Sequence, residues 1–326
     1  MEGLGFEVAP GLHRVEGLLG ERIVACYLLV GDDAALLVDT GVDGTPGDSI
    51  LPYARDIGLA PEQISWIVVT HCDVDHMGGN AAARQLFPAA RFVAHGGDVE
   101  LMENVGRIVG ERYSEFAEQH AIDIDDEMKA WCHKVARATH IDLSVSGFGE
   151  TIRLGPGRKV QLVATPGHSP GSLSVWDPRN RAAIVGDAIL GSTIRRSDGQ
   201  PAFPPTYRDV RDYRLTLTRI ELLHPEHLLT SHDPVMKGEA VRAFFAETRS
   251  FAERLELEVL DELSGGDERT TSELIDILAP RVGEWGQPAW PLLAHALVGH
   301  LEDFEDAKLV ARSSARDGIV RWRARG

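Results

Sequence analysis

Cysteine is scarce in this sequence, and its scarcity excludes two kinds of small-domain architecture. The chain of 326 residues has three cysteines, which is an odd number, and no CxxC spacing. A disulfide framework and a thiolate zinc cluster both need more cysteines in closer pairs. We therefore expect Cys26, Cys72 and Cys132 to be free, buried thiols.

Long apolar runs and positive charge are also scarce. No apolar stretch approaches the roughly 20 residues that a membrane-spanning helix needs, and the first ten residues lack the basic and apolar segments of a signal peptide. We therefore expect a cytoplasmic protein without membrane contact. The 33 Lys and Arg are outnumbered by 50 Asp and Glu, for a net charge of −17. Such a charge repels polyphosphates, so the expected partner is a small molecule and not a nucleic acid.

Apolar residues, by contrast, are plentiful at 43% of the chain. This is enough for one large core with an appendage. Alternating apolar residues on both sides of Gly31-Asp32-Asp33 predict a β-hairpin, and the segment "QISWIVVT" at 63–70 predicts a later strand. The long helical pattern of residues 97–140 predicts an inserted helical cover.

The pattern changes at about residue 240, where helical periodicity replaces strand alternation. The order helix, helix, helix, hairpin predicts a winged helix at 240–326, after a first domain at 1–239. Residues 240–326 contain 11 Lys or Arg and 16 Asp or Glu, so their arginines are expected to pair with neighbouring acidic groups. Part of the apolar surface is expected to meet the first domain or a second subunit, which leaves a homo-oligomer open.

The segment "THCDVDH" at 70–76 places four metal-ligand residues directly after a predicted strand. Alternation puts His71 and Asp73 on one side, while the adjacent Asp75 and His76 must diverge. This pattern favours two metal sites that share one loop over a single four-ligand site. The alternative is that the aspartates only cap the following helix.

Three later predicted strands also end in a potential ligand, namely His168 in "TPGHSPGS", Asp187 in "VGDA" and His232 in "LTSHDP". Together they would complete a dinuclear site. Asp187 is the natural bridge, because a carboxylate has two oxygens to offer.

This pattern resembles the metallo-β-lactamase-fold hydrolase superfamily, whose HxHxDH motif and later His, Asp and His match six of seven positions over about residues 8–235. The resemblance implies an α/β (α+β) fold, an αββα sandwich. It assigns His71, Asp73 and His168 to a first ion, and Asp75, His76 and His232 to a second, with Asp187 between them and Asp39 of "VDTG" supporting the ligands. The C-terminal part is similar to that of the β-lactamase-like protein 2 group, whose relatives include a ribonuclease.

Asp73 departs from the family pattern, which has histidine at this position. Two divalent ions are the expected cofactors, with zinc first. A carboxylate is a harder ligand and shifts the preference somewhat toward iron or manganese. Alternatively, the short Asp73 side chain reaches its ion through water or not at all, which would leave a single ion.

The predicted activity follows from this metal chemistry. Bound water loses a proton near neutral pH, and Asp75 steers this nucleophile or accepts its proton. We therefore predict a dinuclear metal-dependent hydrolase that uses a metal-bound hydroxide to cleave a small ester, lactone or thioester. The alternatives are a metal-dependent ribonuclease and a diiron redox enzyme. Tyr113, Trp131 and Tyr207 are candidates for lining the substrate pocket or, equally, for anchoring irregular segments.

Overall fold

The computed structural model describes residues 5–314 and 316–325; residues 1–4 of the first predicted domain, and residues 315 and 326 of the second, lie outside the description. Seven strands form the first sheet, in spatial order β1 Gly5–Ala9, β2 Leu12–Leu19, β3 Arg22–Val30, β4 Ala35–Val38, β5 Ile64–Val68, β6 Arg91–His95 and β7 Leu143–Val145. The pairs from β1 to β4 are antiparallel, as the predicted hairpin requires, and those from β4 to β7 are parallel.

Six strands form the second sheet, in spatial order β15 Met236–Lys237, β14 His227–Thr230, β11 Ala182–Gly186, β10 Leu173–Asp177, β9 Arg158–Ala164 and β8 Phe148–Gly155. The short strands β12 Ile194–Arg195 and β13 Pro201–Phe203 pair beside it. One apolar core joins residues of both sheets, such as Val68 and Val175. Strands β10 and β11 are buried along their whole length because both of their faces are covered, and β11 is a continuous apolar run.

Helices cover the outer faces of the two sheets, which confirms the α/β sandwich. They are α1 Leu51–Asp56, α2 Val74–Met77, α3 Asn80–Leu86, α4 Val99–Met102, α5 Val105–Arg107, α6 Ala117–His120, α7 Asp126–Val135, α8 Val210–Glu221, α9 Glu239–Leu263, α10 Thr271–Val282 and α11 Ala294–Asp306. Short π-helical turns lie at Pro46–Ile50 and Ile108–Tyr113, and 3-10 turns at Pro61–Gln63 and Gln287–Leu293. None of the helices in the described ranges is long and apolar enough to cross a membrane.

The predicted helical cover at 97–140 consists of short helices, α4 to α7, joined by turns. Asn104 accepts a hydrogen bond from the Arg107 N–H and thereby begins α5. Asp125 does the same for α7 through the Met128 N–H. Each cap interrupts the helical periodicity, so the chain folds back and forth over the loop that contains His71.

The C-terminal residues follow the predicted order of elements. Helices α9, α10 and α11 are followed by the hairpin of β17 Val310–Ser314 and β18 Val320–Ala324, and β16 Arg269–Thr270 pairs with β18. Their apolar residues share one cluster with the outer face of the second sheet, where Trp322 and Leu255 join Trp176. These residues are therefore packed onto the sandwich. All three cysteines are free and buried, as predicted.

Candidate metal centre

The ligand residues predicted from the sequence converge at one edge of the sandwich, because the strands that precede them end there. Six of the seven form two groups whose ligand atoms lie within 4.8 Å of one another, namely His71, His168 and Asp187, and Asp75, His76 and His232. Asp187 also approaches the second group, with Oδ2 3.2 Å from His232 Nε2 and Oδ1 3.6 Å from His76 Nε2. It therefore lies between the groups, where a bridging carboxylate was predicted.

All four histidines present the same ring nitrogen to this centre. Nδ1 of His76, His168 and His232 lies 2.9 to 3.0 Å from Asp39 Oδ2, the Thr206 carbonyl and the Ile23 carbonyl, respectively. Because these oxygens can only accept, each Nδ1 carries the hydrogen. His71 Nδ1 donates to Thr70 Oγ1 at 3.0 Å, since that hydroxyl donates its own hydrogen to Asp39. The Nε2 atoms of His71, His76 and His232 are thus available to a ligand, and His168 Nε2 lies 2.9 Å from Asp73 Oδ2 and 3.0 Å from Arg112 Nη2.

Asp39 supports two of these histidines from a strained turn. Its carboxylate accepts from the Thr70 N–H at 2.7 Å, from Thr70 Oγ1 at 2.8 Å and from His76 Nδ1 at 2.9 Å. Its φ of 62° lies in the left-handed region, which aspartate tolerates better than most residues. Strain of this kind concentrates at functional sites, where surrounding contacts hold it in place.

The unpartnered atoms of the centre fit a divalent cation. Nε2 of His71, Nε2 of His76 and Oδ1 of Asp187 are buried and have no hydrogen-bond partner within the described part of the chain. Buried polar atoms without partners are costly, and a cation would satisfy these lone pairs. Burial of the His76 ring disfavours its charged form, but Asp187 and Asp75 outweigh this and raise the pKa of His76 well above its usual value. The surroundings of His76 thus favour positive charge.

Asp73, predicted as a ligand of the first ion, lies beside the first group, with Oδ2 2.9 Å from His168 Nε2 and 3.4 Å from His71 Nε2, and it also forms an ion pair with an arginine. Arg112 Nε lies 2.5 Å from Asp73 Oδ1, and Arg112 Nη2 lies 3.0 Å from Oδ2. Although burial raises the pKa of Asp73, Arg112, His168 and His71 together outweigh it and hold that pKa well below its usual range. Asp187 joins His71 and His168 in the first group.

Two residues of this centre were missed from the sequence, Arg112 and Asp98. The extra carboxylate at position 73 demands a nearby cation once it is buried, but nothing in the sequence says which. Asp98 is fully buried, accepts from the Cys72 N–H, the Gly171 N–H and Ser169 Oγ at 2.7 to 3.0 Å, and so ties the His71 loop to the His168 loop. No local pattern distinguishes it from a helix cap.

A cavity of about 810 Å³ opens above the ligand groups. Its floor includes Asp73, Asp75, Asp187 and His232. Its apolar walls come from the helical cover and from the C-terminal residues, and they include Ile124, Met128, Trp131, Pro288, Ala289 and Leu292. The C-terminal part therefore contributes to the wall of the cavity above the centre.

The three aromatic candidates divide between the two roles that the sequence left open. Tyr113 and Trp131 line the cavity. Tyr207 does not: its side chain is fully buried, stacks on Tyr213 at 4.2 Å between ring centroids and lies 3.0 Å from His300 through its hydroxyl. Tyr207 is thus a packing anchor between α8 and α11, and its prediction as a substrate-lining residue is wrong.

Comparison with known proteins agrees with this geometry. A family profile described as "Metallo-beta-lactamase superfamily" matches residues 19–232. The chain is 24% identical to the beta-lactamase-like protein 2 homolog of Caenorhabditis elegans, over 90% of this chain and 79% of that protein. It is 26% identical to the human mitochondrial persulfide dioxygenase ETHE1, over 59% of this chain and 58% of that one. With the N-acyl homoserine lactonase of Bacillus cereus it shares 27% identity, over 50% of this chain and 61% of that one.

A solved structure extends the likeness to the C-terminal part. A metallo-beta-lactamase family protein of Thermus thermophilus superposes with a TM-score of 0.73 at 20% identity, covering 98% of this chain and all of that one. At this identity the likeness concerns the fold alone.

Proposed function

Because this chain belongs to the Metallo-beta-lactamase superfamily, we propose that it is a metal-dependent hydrolase that cleaves a small ester, lactone or thioester. The observation that carries this proposal is the set of four histidines that turn Nε2 toward Asp75 and Asp187 at the floor of a largely apolar cavity. The similarity to a lactonase supports it.

The group of Asp75, His76 and His232, with Asp187 beside it, would hold a divalent ion. Such an ion, when bound, lowers the pKa of a water molecule and so supplies the nucleophile. Zinc is favoured because the two groups together offer four imidazoles and two carboxylates. Iron and manganese remain the alternatives, and a second ion is a prediction from the ligand pattern.

Asp75 and Tyr113 supply the proton chemistry of the proposed reaction. Burial raises the pKa of Asp75, but His76 and Arg22 outweigh this and lower it, so the group is a carboxylate that can accept a proton. Burial, together with Asp73 and Asp75, raises the pKa of Tyr113 well above its usual value, so its hydroxyl stays protonated. That hydroxyl accepts from the Val74 N–H at 2.9 Å and can donate to a substrate oxygen.

The shape and lining of the cavity favour a substrate that is recognised through its acyl group. Its volume of about 810 Å³ is in the range of small-molecule sites, and such sites combine apolar walls with a few polar groups. Trp131, Met128 and Phe203 would contact the apolar part, while Arg22 and Arg196 at the same cavity would face a polar or anionic end.

The arginines of the C-terminal hairpin support a small molecule over RNA as the partner. Arg312, Arg321 and Arg323 lie within 4 Å of acidic groups, and their partners are Glu305, Asp317 and Glu268, respectively. Their charge is thus partly offset within the C-terminal part, as its acidic balance predicts.

The test is a substrate screen on protein stripped of metal and reconstituted with zinc or iron. Lactones, thioesters and nitrophenyl esters are offered in separate assays, with and without oxygen. We expect hydrolysis that is lost on chelation and restored by zinc. Oxygen-dependent turnover of a persulfide by the iron form, without hydrolysis, would instead support the redox alternative, and RNA cleavage would support the ribonuclease alternative.

A further inference from the structure

Three arginines line the cavity among the residues that the structure describes, and two of them are paired with carboxylates. Arg112 lies 2.5 and 3.0 Å from the two oxygens of Asp73. Arg196 lies 3.3 Å from Glu21 and 3.1 Å from Asp198. A guanidinium that shares its donors with a fixed carboxylate has fewer of them left for a substrate. The fold itself therefore compensates the charge of these two arginines.

Arg22 is the third arginine, and it has no carboxylate within hydrogen-bond distance in the described ranges, since Asp75 Oδ2 lies 3.8 Å from its Nη1. The guanidinium lies over the ring of Phe203, with 4.7 Å between Cζ and the ring centroid. Stacking holds a guanidinium through its flat face and leaves the N–H donors at its edge free. Because 21% of its side chain is exposed, Arg22 offers these donors to the cavity.

The backbone holds Arg22 beside the second ligand group, which contains His232. Arg22 is the first residue of β3 and pairs with Leu19 of β2 across the hairpin turn. The carbonyl of the next residue, Ile23, accepts the hydrogen of His232 Nδ1 at 2.9 Å. This hydrogen bond fixes the start of β3 relative to the metal centre. A substrate group bound by Arg22 would therefore lie close to the bond that is cleaved.

The carboxylates that line the cavity would leave the charge of Arg22 uncompensated once an ion is bound. Two of them are paired with the other two arginines. The remaining two, Asp75 and Asp187, belong to the ligand groups, where a divalent ion would offset both charges. A single guanidinium matches a singly charged carboxylate in charge and in the fork of its N–H donors, whereas a phosphate carries more charge than it can offset.

We propose that Arg22 determines substrate specificity, and that the substrates are short acyl compounds with a carboxylate next to the bond that is cleaved. This inference rests on the proposed function and narrows it, because a neutral ester or lactone would leave the donors of Arg22 unmatched. The carboxylate belongs either to the acyl part, as in the monoester of a dicarboxylic acid, or to the leaving group, as in an ester of a hydroxy acid. Both place the same charge beside Arg22.

The first test measures binding and needs no turnover, so it can fail independently of the proposed hydrolysis. Zinc-loaded full-length protein is titrated by calorimetry with butyrate and with the dicarboxylates succinate, glutarate and adipate. Butyrate has one carboxylate for the metal centre, and each dicarboxylate has a second one for Arg22. We expect at least one dicarboxylate to bind roughly 10- to 100-fold more tightly than butyrate, because charged hydrogen bonds contribute in this range.

The variant Arg22→Gln should lower the affinity for the dicarboxylates to that for butyrate. Arg22→Lys keeps the charge but not the forked donors, so it should keep part of the preference. Zinc content by elemental analysis and the thermal transition report whether each variant is folded and loaded. The matched control is Arg91→Gln, because Arg91 also lies over an aromatic ring, Trp66 at 5.6 Å, and is not part of the cavity lining. It should show the wild-type preference.

A second test distinguishes the two positions of the carboxylate by turnover. Three thioesters are compared, namely the glutaryl thioester of ethanethiol, the butyryl thioester of mercaptoacetate and the neutral butyryl thioester of ethanethiol. A higher kcat/KM for either charged thioester than for the neutral one supports the proposal and assigns the side.

Three results would overturn the role of Arg22. They are equal affinities of all four acids for the wild type, a preference for dicarboxylates that persists in Arg22→Gln, and hydrolysis of the neutral thioester alone. Preferential binding of dicarboxylates that depends on Arg22, without hydrolysis of any thioester, would instead support the carboxylate site and count against the proposed hydrolysis.

Discussion

Replacing Asp39 by Asn tests whether this carboxylate sets the hydrogen positions on the metal-binding histidines. The carboxylate accepts three hydrogen bonds, two from Thr70 and one from His76 Nδ1. Asn is of the same size and also tolerates the φ of 62° at this position, so the backbone need not move. It offers only one oxygen, and its NH₂ group would face the donors that now meet Oδ2.

The expected effect on His76 and His71 follows from the chain of donors. With an NH₂ group opposite, His76 Nδ1 must become the acceptor, which moves the ring hydrogen to Nε2 and removes the lone pair from the site. If the same NH₂ group donates to Thr70 Oγ1, that hydroxyl turns its hydrogen toward His71 Nδ1 and reverses His71 as well. Loss of such supporting partners weakens metal affinity by about 10- to 100-fold, or about 1.4 to 2.7 kcal/mol.

Zinc affinity is measured by competition with a chromophoric chelator, and the free energy of unfolding of the metal-free protein by denaturant titration. The control is Asp177→Asn, a buried carboxylate that pairs with Arg158 at 2.5 Å, away from the ligand groups. Each variant removes a charged hydrogen-bond acceptor and should therefore lose roughly 1.5 to 3 kcal/mol of stability. Only Asp39→Asn should also lose zinc affinity; an unchanged affinity in that variant would refute the reasoning.

Further predictions concern the proton acceptor, a buried histidine, the C-terminal contact and nucleic acid. Asp75→Asn should lower kcat by about 10²- to 10⁴-fold while the thermal transition is retained, and normal turnover would contradict the assignment. Burial lowers the pKa of His300 to about 3, so only the unfolded chain takes up a proton near pH 6.5 and stability falls as the pH drops below that value. Between pH 7.5 and 5.5, the free energy of unfolding of His300→Gln should fall by ~1.4 kcal/mol less than that of the wild type, as measured by denaturant titration. An equal fall in both proteins would count against burial of His300 as the cause. Trp285 is buried and donates to Thr193 Oγ1 at 2.8 Å, so Trp285→Ala should cost ~3 to 5 kcal/mol and Trp285→Phe about 1 kcal/mol, whereas equal costs would show that the ring itself contributes little. Filter binding should detect no salt-dependent RNA affinity in the intact protein; micromolar binding that falls with salt would support the ribonuclease alternative.

The sequence by itself determined the family, the sandwich fold and the place of the ligands. His71, Asp75 and His76 lie within one short loop, and His168, Asp187 and His232 each follow an apolar strand, so their convergence requires only that the strand ends meet at one edge. The resemblance to the family also gave Asp39, in the turn that directly follows β4, as a support for the ligands. Each of these features can be read from a local pattern in the chain.

The tertiary structure alone decided what each ligand candidate contacts. Arg112 contacts Asp73 from 39 positions away in the sequence. The short helices between them have caps that interrupt the helical periodicity, so the sequence pattern does not predict this contact. Tyr207 became an anchor, and residues near Leu292 became a cavity wall, only because the C-terminal helices pack on the second sheet. Which cation pairs with a buried carboxylate depends on burial and on contacts far along the chain, and the spacing of residues in the sequence does not contain that information.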